Sequence, residues 1–162
     1  MTSILIVDDE AAIRRLLGAI VGRAGHDCLF AEDGAGAIAA VARGGIDAVL
    51  LDLGLPDRDG LEMIGAIRQQ RETMPIVVVS ARDDVAEKIA ALDLGADDYV
   101  TKPFDGDELL ARLRSAMRRV RGAAAADAPL VFGPISLDAG RHIVVCRGAP
   151  VVLTPREFAV LQ

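Results

Sequence analysis

The chain has 162 residues, 52% of them hydrophobic, 26% charged and only 3% aromatic, with a formal net charge of −6. That balance excludes a disordered or low-complexity chain and predicts an aliphatic, Ala-rich core, with enough length for one ordinary domain plus a fragment. No apolar stretch approaches the ~20 residues of a membrane span, and Met1–Ser3 leads to acid at Asp8 without a basic leader region, so a cytoplasmic protein is expected.

The first 121 residues alternate strand and helix patterns five times. Ile4–Val7 reads as a strand. The helix after it carries Ile13, Leu16, Leu17 and Ile20 at helical spacing and stops at Gly25. A weaker strand near Cys28–Ala31 precedes a helix through Ile38–Val41, ended by Gly44-Gly45. Asp47–Leu51 is the third strand, followed by the loop 54–60 and a helix through Leu61, Ile64 and Ile67. Pro75 opens the fourth strand, and Asp83 or Asp84 can cap the next helix, which runs to about Leu94 and stops at Gly95. Tyr99–Thr101 is the fifth strand. The last helix, about Gly106–Val120, carries Leu109, Leu110 and Leu113 on one face and a late Arg cluster suited to a helix C-terminus. Strands alternating with helices of this length predict an α/β fold: a doubly wound, five-stranded parallel sheet with helices on both faces.

Residues 122–129, rich in Ala, read as a linker, although Ala also favours extending the preceding helix. Beyond Pro129 the pattern changes to short strands, Leu130–Phe132, Ile135–Leu137, His142–Cys146 and Pro150–Leu153, separated by Gly-containing turns. Thr154-Pro155-Arg156-Glu157 is a helix start. A small antiparallel sheet with so little helix is too small for a core of its own, so residues 130–162 read as an incomplete second module. Charge supports the division: residues 118–162 hold six arginines against three carboxylates, a net +3, which leaves −9 for the rest. Cys28 and Cys146 lack metal-site spacing and read as reduced packing residues, and His26 and His142 as surface or satisfied residues.

Four strands end in chemistry. Val7 is followed by Asp8-Asp9, Leu51 by Asp52, Val79 by Ser80 and Thr101 by Lys102. In an open parallel sheet the carboxyl edge is where sites are built. Taken singly, each residue reads as an ordinary loop, cap or surface group; their joint placement changes the reading. Clustered carboxylates repel one another and should raise at least one pKa unless a cation joins them. Mg²⁺ suits such a set: Asp9 and Asp52 as direct ligands, Asp8 through water and the Gly54 carbonyl as a third protein oxygen. Asp52, on the central strand, is then the candidate nucleophile for an aspartyl-phosphate, with Lys102 and Ser80 covering phosphoryl oxygens.

Val-Asp-Asp-Glu at 7–10, Leu-Asp-Leu-Gly-Leu-Pro-Asp-Arg-Asp-Gly at 51–60, Ser80-Ala81-Arg82 and the run Gly95–Phe104 with Lys102-Pro103 resemble the receiver domain of two-component response regulators. This resemblance covers residues 1–121 and implies a flavodoxin-like fold. It implies that Asp52 takes a phosphoryl group from a sensor histidine kinase, that Asp8 and Asp9 form the acidic Mg²⁺ pair, and that Lys102 clamps the phosphate. Ser80 is implied as the switch hydroxyl and Tyr99 as the aromatic that turns inward with it, although half-buried packing would also explain Tyr99. The tail resembles the start of a winged-helix DNA-binding unit of the OmpR/PhoB type, whose recognition helix and wing would lie past Gln162. DNA binding is thus expected of the complete protein and not of this chain.

Within that branch the resemblance implies a phosphorylation-dependent symmetric homodimer through the fourth helix, fifth strand and fifth helix, here Lys88, Asp97, Asp98, Glu108, Arg112 and Arg119. The run Asp83–Asp93 also resembles the potassium-transport (Kdp) regulators. An aspartyl phosphatase would carry a second Asp two positions after its nucleophile on the first strand, and a nucleotide or flavin carrier a Gly-rich cradle; neither pattern is present. The chain is therefore expected to be a transcription-linked switch and not an enzyme, with a receiver-only dimerisation module as the alternative.

Overall fold

A computed structural model describes the backbone of residues 1–126, 130–132, 135–138, 143–146 and 149–151, and side chains for residues 1–122 and 146. It divides into two compact units, Met1–Val120 and Arg121–Gln162. The first unit alternates β1 (Ser3–Val7), α1 (Ala11–Arg23), β2 (Asp27–Ala31), α2 (Gly34–Arg43), β3 (Ala48–Leu51), α3 (Gly60–Gln70), β4 (Ile76–Ser80), α4 (Val85–Asp93) and β5 (Asp98–Thr101), and α5 spans Gly106–Ala126. The five strands are parallel, in the order β2-β1-β3-β4-β5. Strand order reverses direction at β1 and β3, the crevice where such sheets bind ligands.

Alternation along each strand divides the core. Leu5, Val7, Val49, Leu51, Ile76 and Val78 face one way and pack with residues of α2, α3 and α4, including Ala37, Val41, Met63, Ile64, Ile67 and Ala91. Ile4, Ile6, Leu50, Val77, Val79 and Val100 face the other way, against Leu17, Ile20 and Val21 of α1 and Leu109, Leu113 and Ala116 of α5. This is the doubly wound arrangement expected from the sequence. Asp33, Asp59 and Asp84 cap α2, α3 and α4 by accepting backbone amides of Gly36, Leu61, and Ala86 with Glu87. Each cap satisfies N–H groups that a helix start leaves unpaired.

Three expectations change in detail. Leu16 stands about half exposed, although it shares the apolar spacing of α1; the buried stripe of that helix is Leu17, Ile20 and Val21. Helix α5 continues through Gly122–Ala126, the alternative that the Ala run favours. Its last turn consequently carries no basic residue, so Arg118, Arg119 and Arg121 lie upstream of the helix end and not against its terminal dipole.

In the second unit, β6 (Leu130–Phe132), β7 (Ile135–Asp138), β8 (Ile143–Cys146) and β9 (Ala149–Val151) form an antiparallel meander. The register pairs Leu130 with Leu137, Ser136 with Val145 and Val145 with Pro150. The expected helix start at Thr154–Glu157 and His142 lie outside the described residues. Cys28 and Cys146 are free and half-buried. Among the described residues no helix is long and apolar enough to cross a membrane.

Candidate functional site

Two strand ends bring three carboxylates together. β1 delivers Asp8 and Asp9, and β3 delivers Asp52; one oxygen of each lies within 4.8 Å of the others. Asp8 is fully buried and Asp52 nearly so, whereas Asp9 is exposed. β5 delivers Lys102, whose Nζ is 2.7 Å from Asp8 Oδ2 and 3.6 Å from Asp52 Oδ1. Asp8 is thus fully engaged: its Oδ1 accepts the Glu10 amide at 2.9 Å and its Oδ2 accepts Lys102. Asp52 Oδ2 accepts the Gly54 amide at 3.2 Å. Gly54 itself is exposed at the start of the β3–α3 loop.

Burial is the main reason the Asp52 carboxyl sits above the ordinary carboxylate range; Lys102 pulls it down and Asp8 pushes it up. That rise is the consequence expected of clustered acids. Burial also works to lower the Lys102 ammonium, but the Asp8 hydrogen bond and the charges of Asp52 and Asp8 outweigh it and hold its pKa above normal. Lys102 therefore stays charged beside the carboxylates.

The wall of the site is the β4–α4 loop. Ser80, buried at the end of β4, accepts the Arg82 amide through its Oγ at 3.3 Å. The Tyr99 hydroxyl donates to the Arg82 carbonyl at 2.6 Å, and the Lys88 ammonium sits 5.7 Å from the ring centroid. Tyr99 is buried on β5 beside Ser80, with its phenol pKa raised chiefly by burial. Arg82 Nη1 reaches Asp59 at 3.4 Å and Glu87 at 3.5 Å, linking the loop to the N-terminus of α3. Opposite it, the β3–α3 loop closes against Gly60, where a Cβ would lie 2.3 Å from Leu53 Cα and 2.9 Å from the Asp52 carbonyl. Any side chain there would displace the backbone beside Asp52, so glycine is required by close approach.

The donor set suits a hard divalent cation: carboxylate oxygens from two strands, with no sulfur or imidazole among them. The excess of acid over base at one edge is what such an ion would neutralise.

The chain matches the family described as response regulator receiver domain over residues 4–114. The chain belongs to that family. Its curated relatives include the transcriptional regulatory protein KdpE of Mycobacterium tuberculosis, 45% identical over all of this chain and 72% of the relative. They also include the sensory transduction protein RegX3 of Mycolicibacterium smegmatis, 41% identical over all of the chain and 72% of the relative. Among solved structures, the receiver domain of the Francisella response regulator 1452 is 31% identical, covers 74% of this chain and 98% of its own, and superposes with a TM-score of 0.69. A CheY-like receiver from Methanospirillum hungatei is 25% identical at a TM-score of 0.73, over 76% of this chain and 98% of its own. The resemblance to OmpR/PhoB-type response regulators drawn from the motifs stands, and with it a receiver domain homologous to two-component proteins that regulate transcription.

Away from the acidic cluster, the charges expected at a dimer face are placed as follows. Lys88 lies on α4 over Tyr99, and Arg119 is exposed on α5. Arg112 bonds Asp98 at 3.0 Å and Glu108 at 3.0 Å within its own chain. Asp97 is drawn inward, accepting Arg68 at 3.0 Å and the Ile76 amide at 2.8 Å. Sequence reasoning missed a neighbouring feature. Val85, Ile89 and Leu92 of α4 are exposed apolar residues. Their spacing of four and three puts them on one stripe, a signal that could have been read from the sequence. It also missed Arg14 and Asp57, whose partners are backbone groups.

Proposed function

We propose that this chain is a phosphorylation-activated response regulator in which Asp52 accepts a phosphoryl group from a sensor histidine kinase. The observation that carries the reading is the convergence of Asp8, Asp9 and Asp52 with Lys102 at one end of β1, β3 and β5. An Asp52 carboxylate oxygen attacks phosphorus in line; the new P–O bond forms as the donor's P–N bond breaks and its electron pair returns to the imidazole nitrogen. Asp9 and Asp52, with the Gly54 carbonyl, would hold Mg²⁺ directly and Asp8 through water. This reading is supported by the engagement of both Asp8 oxygens by Glu10 and Lys102. When bound, Mg²⁺ supplies charge neutralisation to a phosphoryl oxygen.

Lys102 is close enough to Asp52 to move onto a second phosphoryl oxygen, and Ser80 can donate to a third. Drawing Ser80 toward the phosphate alters the Arg82 loop that Tyr99 holds, which makes Ser80 and Tyr99 the switch pair. The output is a symmetric homodimer through α4, β5 and α5, using Lys88, Asp98, Glu108, Arg112 and Arg119; Asp97, expected at the same face, is instead held by Arg68 within its own chain. The exposed stripe Val85, Ile89 and Leu92 supports it by supplying an apolar centre to the charged rim. Dimerisation would recruit Arg112, Asp98 and Glu108 from their pairs within one chain.

The division proposed is a receiver at 1–121, a connector at 122–129 and the first part of a winged-helix unit at 130–162, with DNA contacted by the complete unit. The protein acts in the cytoplasm as a regulator and not as a turnover enzyme. Incubation with acetyl phosphate and Mg²⁺ tests the reading. Near-stoichiometric, base-labile phosphate is expected on the wild type and none on Asp52→Ala; full uptake by that variant would exclude Asp52 as the nucleophile.

A further inference from the structure

Arg14 lies in the first turns of α1, behind the acidic pair. Its Nη1 donates to the Asp8 carbonyl at 2.7 Å and to the Asp9 carbonyl at 3.0 Å. Its side chain is only 17% exposed, and Nη2 lies 3.6 Å from Glu32, which is 76% exposed. The planar fork of a guanidinium can address both carbonyls and a carboxylate at once; an ammonium cannot hold that geometry.

The two acidic residues need this support unequally. Asp8 has its own anchors, since Glu10 and Lys102 hold its carboxylate. The exposed Asp9 carboxylate makes no hydrogen bond or ion pair among the described residues, so its direction depends on the peptide that carries it. That peptide is what Arg14 grips. We infer that Arg14 is a positioning residue for the cation site, fixing the backbone of the Asp8–Asp9 pair so that the Asp9 carboxylate is presented toward Asp52. The inference rests on reading that cluster as a cation site.

A bland role competes: Arg14 could merely pin α1 to the β2–α2 loop through Glu32. That pair is long and its acid is mostly in water, which makes it a weak tie. A charge effect also competes, and with opposite sign. A guanidinium near a cation site repels the cation, so removing it should tighten binding if charge were its main effect. Loss of positioning should weaken binding, as for other outer groups that orient metal ligands.

The test is calorimetric titration of MgCl₂ into the full chain, with thermal unfolding followed in the absence of metal. Arg14→Gln should weaken Mg²⁺ binding about tenfold, Arg14→Lys should recover part of that loss, and Glu32→Gln should leave affinity at the wild-type value. Phosphate uptake by Arg14→Gln should return to near the wild-type rate at saturating Mg²⁺, which separates a lost ion from a damaged nucleophile. Unchanged or tighter Mg²⁺ binding by Arg14→Gln would overturn the inference, as would an equal loss in Glu32→Gln. If Arg14→Gln does not fold, Arg14→Lys carries the same test with the same sign. Failure of the site reading is distinguishable, because then the wild type itself would take up no Mg²⁺.

Discussion

At the amino edge of the sheet, Arg68 donates to the carbonyls of Gly95 and Met74 and to Asp97, while Asp97 also accepts the Ile76 amide. At the carboxyl edge, Lys102 faces Asp8 and Asp52, with Asp9 beside them. Both are sets of charged groups at an edge of the sheet, half-buried or buried apart from the exposed Asp9, and Arg68 comes from α3. The amino-edge set is balanced and its donors are directed at the α3, α4 and β5 termini, which makes it a scaffold knot. The carboxyl-edge set carries three acids against one ammonium, and its most buried acids are held close together. Excess like charge in a fixed position is costly to folding, and it is the condition under which an incoming cation is most strongly favoured. The comparison teaches that charge balance, more than burial, separates a structural cluster from a reactive one.

The sharpest way to break that contrast is Asp52→Ala, which should remove all phosphate uptake from acetyl phosphate while Arg68→Ala retains it. Next, Lys102→Ala should slow uptake by about a hundredfold, in line with the loss of a group that stabilises developing charge, measured from the initial rate at saturating Mg²⁺. The reverse effect is expected at the other edge. Arg68→Ala should cost about 2–3 kcal/mol, because it leaves Asp97 and two carbonyls without their partner, yet leave Mg²⁺ affinity unchanged. Urea unfolding paired with Mg²⁺ titration checks both halves, and a variant that lost affinity without losing stability would dissolve the distinction.

Smaller effects concern pH. The Asp52 pKa is raised chiefly by burial, so ionising it opposes folding as pH rises from its unfolded value through its folded one. Asp52→Asn should therefore be more stable than the wild type near neutrality without metal, and the difference should vanish in acid, where Asp52 is neutral in both states. Asp57 gives the opposite sign. Its carboxylate accepts the Gly34 amide at 2.7 Å and the Ala35 amide at 2.9 Å, and chiefly the Gly34 bond holds its pKa below normal. Its stabilising effect is present above the unfolded value and is lost as pH falls through the folded one. Asp57→Asn should be slightly less stable than the wild type at neutral pH and indistinguishable from it in strong acid. Urea titrations from neutral pH down into strong acid would reveal a wrong sign for either residue.

What the sequence could reveal follows from what each feature depends on. Strand runs ending in Asp8-Asp9, Asp52, Ser80 and Lys102 are local patterns, and a parallel sheet places like ends together, so both the fold and the acidic cluster could be read directly. Helical spacing identified the buried stripe of α1 but could not exclude Leu16, because the width of a buried stripe depends on what lies beneath it. The end of α5 was ambiguous because an Ala run is compatible with either a linker or a helix. Arg14 and Asp57 were invisible for another reason: their partners are main-chain carbonyls and amides from other segments, which no residue pattern displays. Asp97 was expected to offer its charge outward; Arg68, distant in sequence, turns it inward.

The setting of Tyr99 makes the molecule its own optical gauge. The chain has one tyrosine and no tryptophan, so emission excited beyond the phenylalanine absorption band comes from a single ring held between the Arg82 carbonyl and the Lys88 ammonium. A phenol that donates to a carbonyl is a dim emitter, and release of that bond alters its brightness. Movement of the β4–α4 loop could thus be followed in real time with unlabelled protein, each chain reporting through one fluorophore.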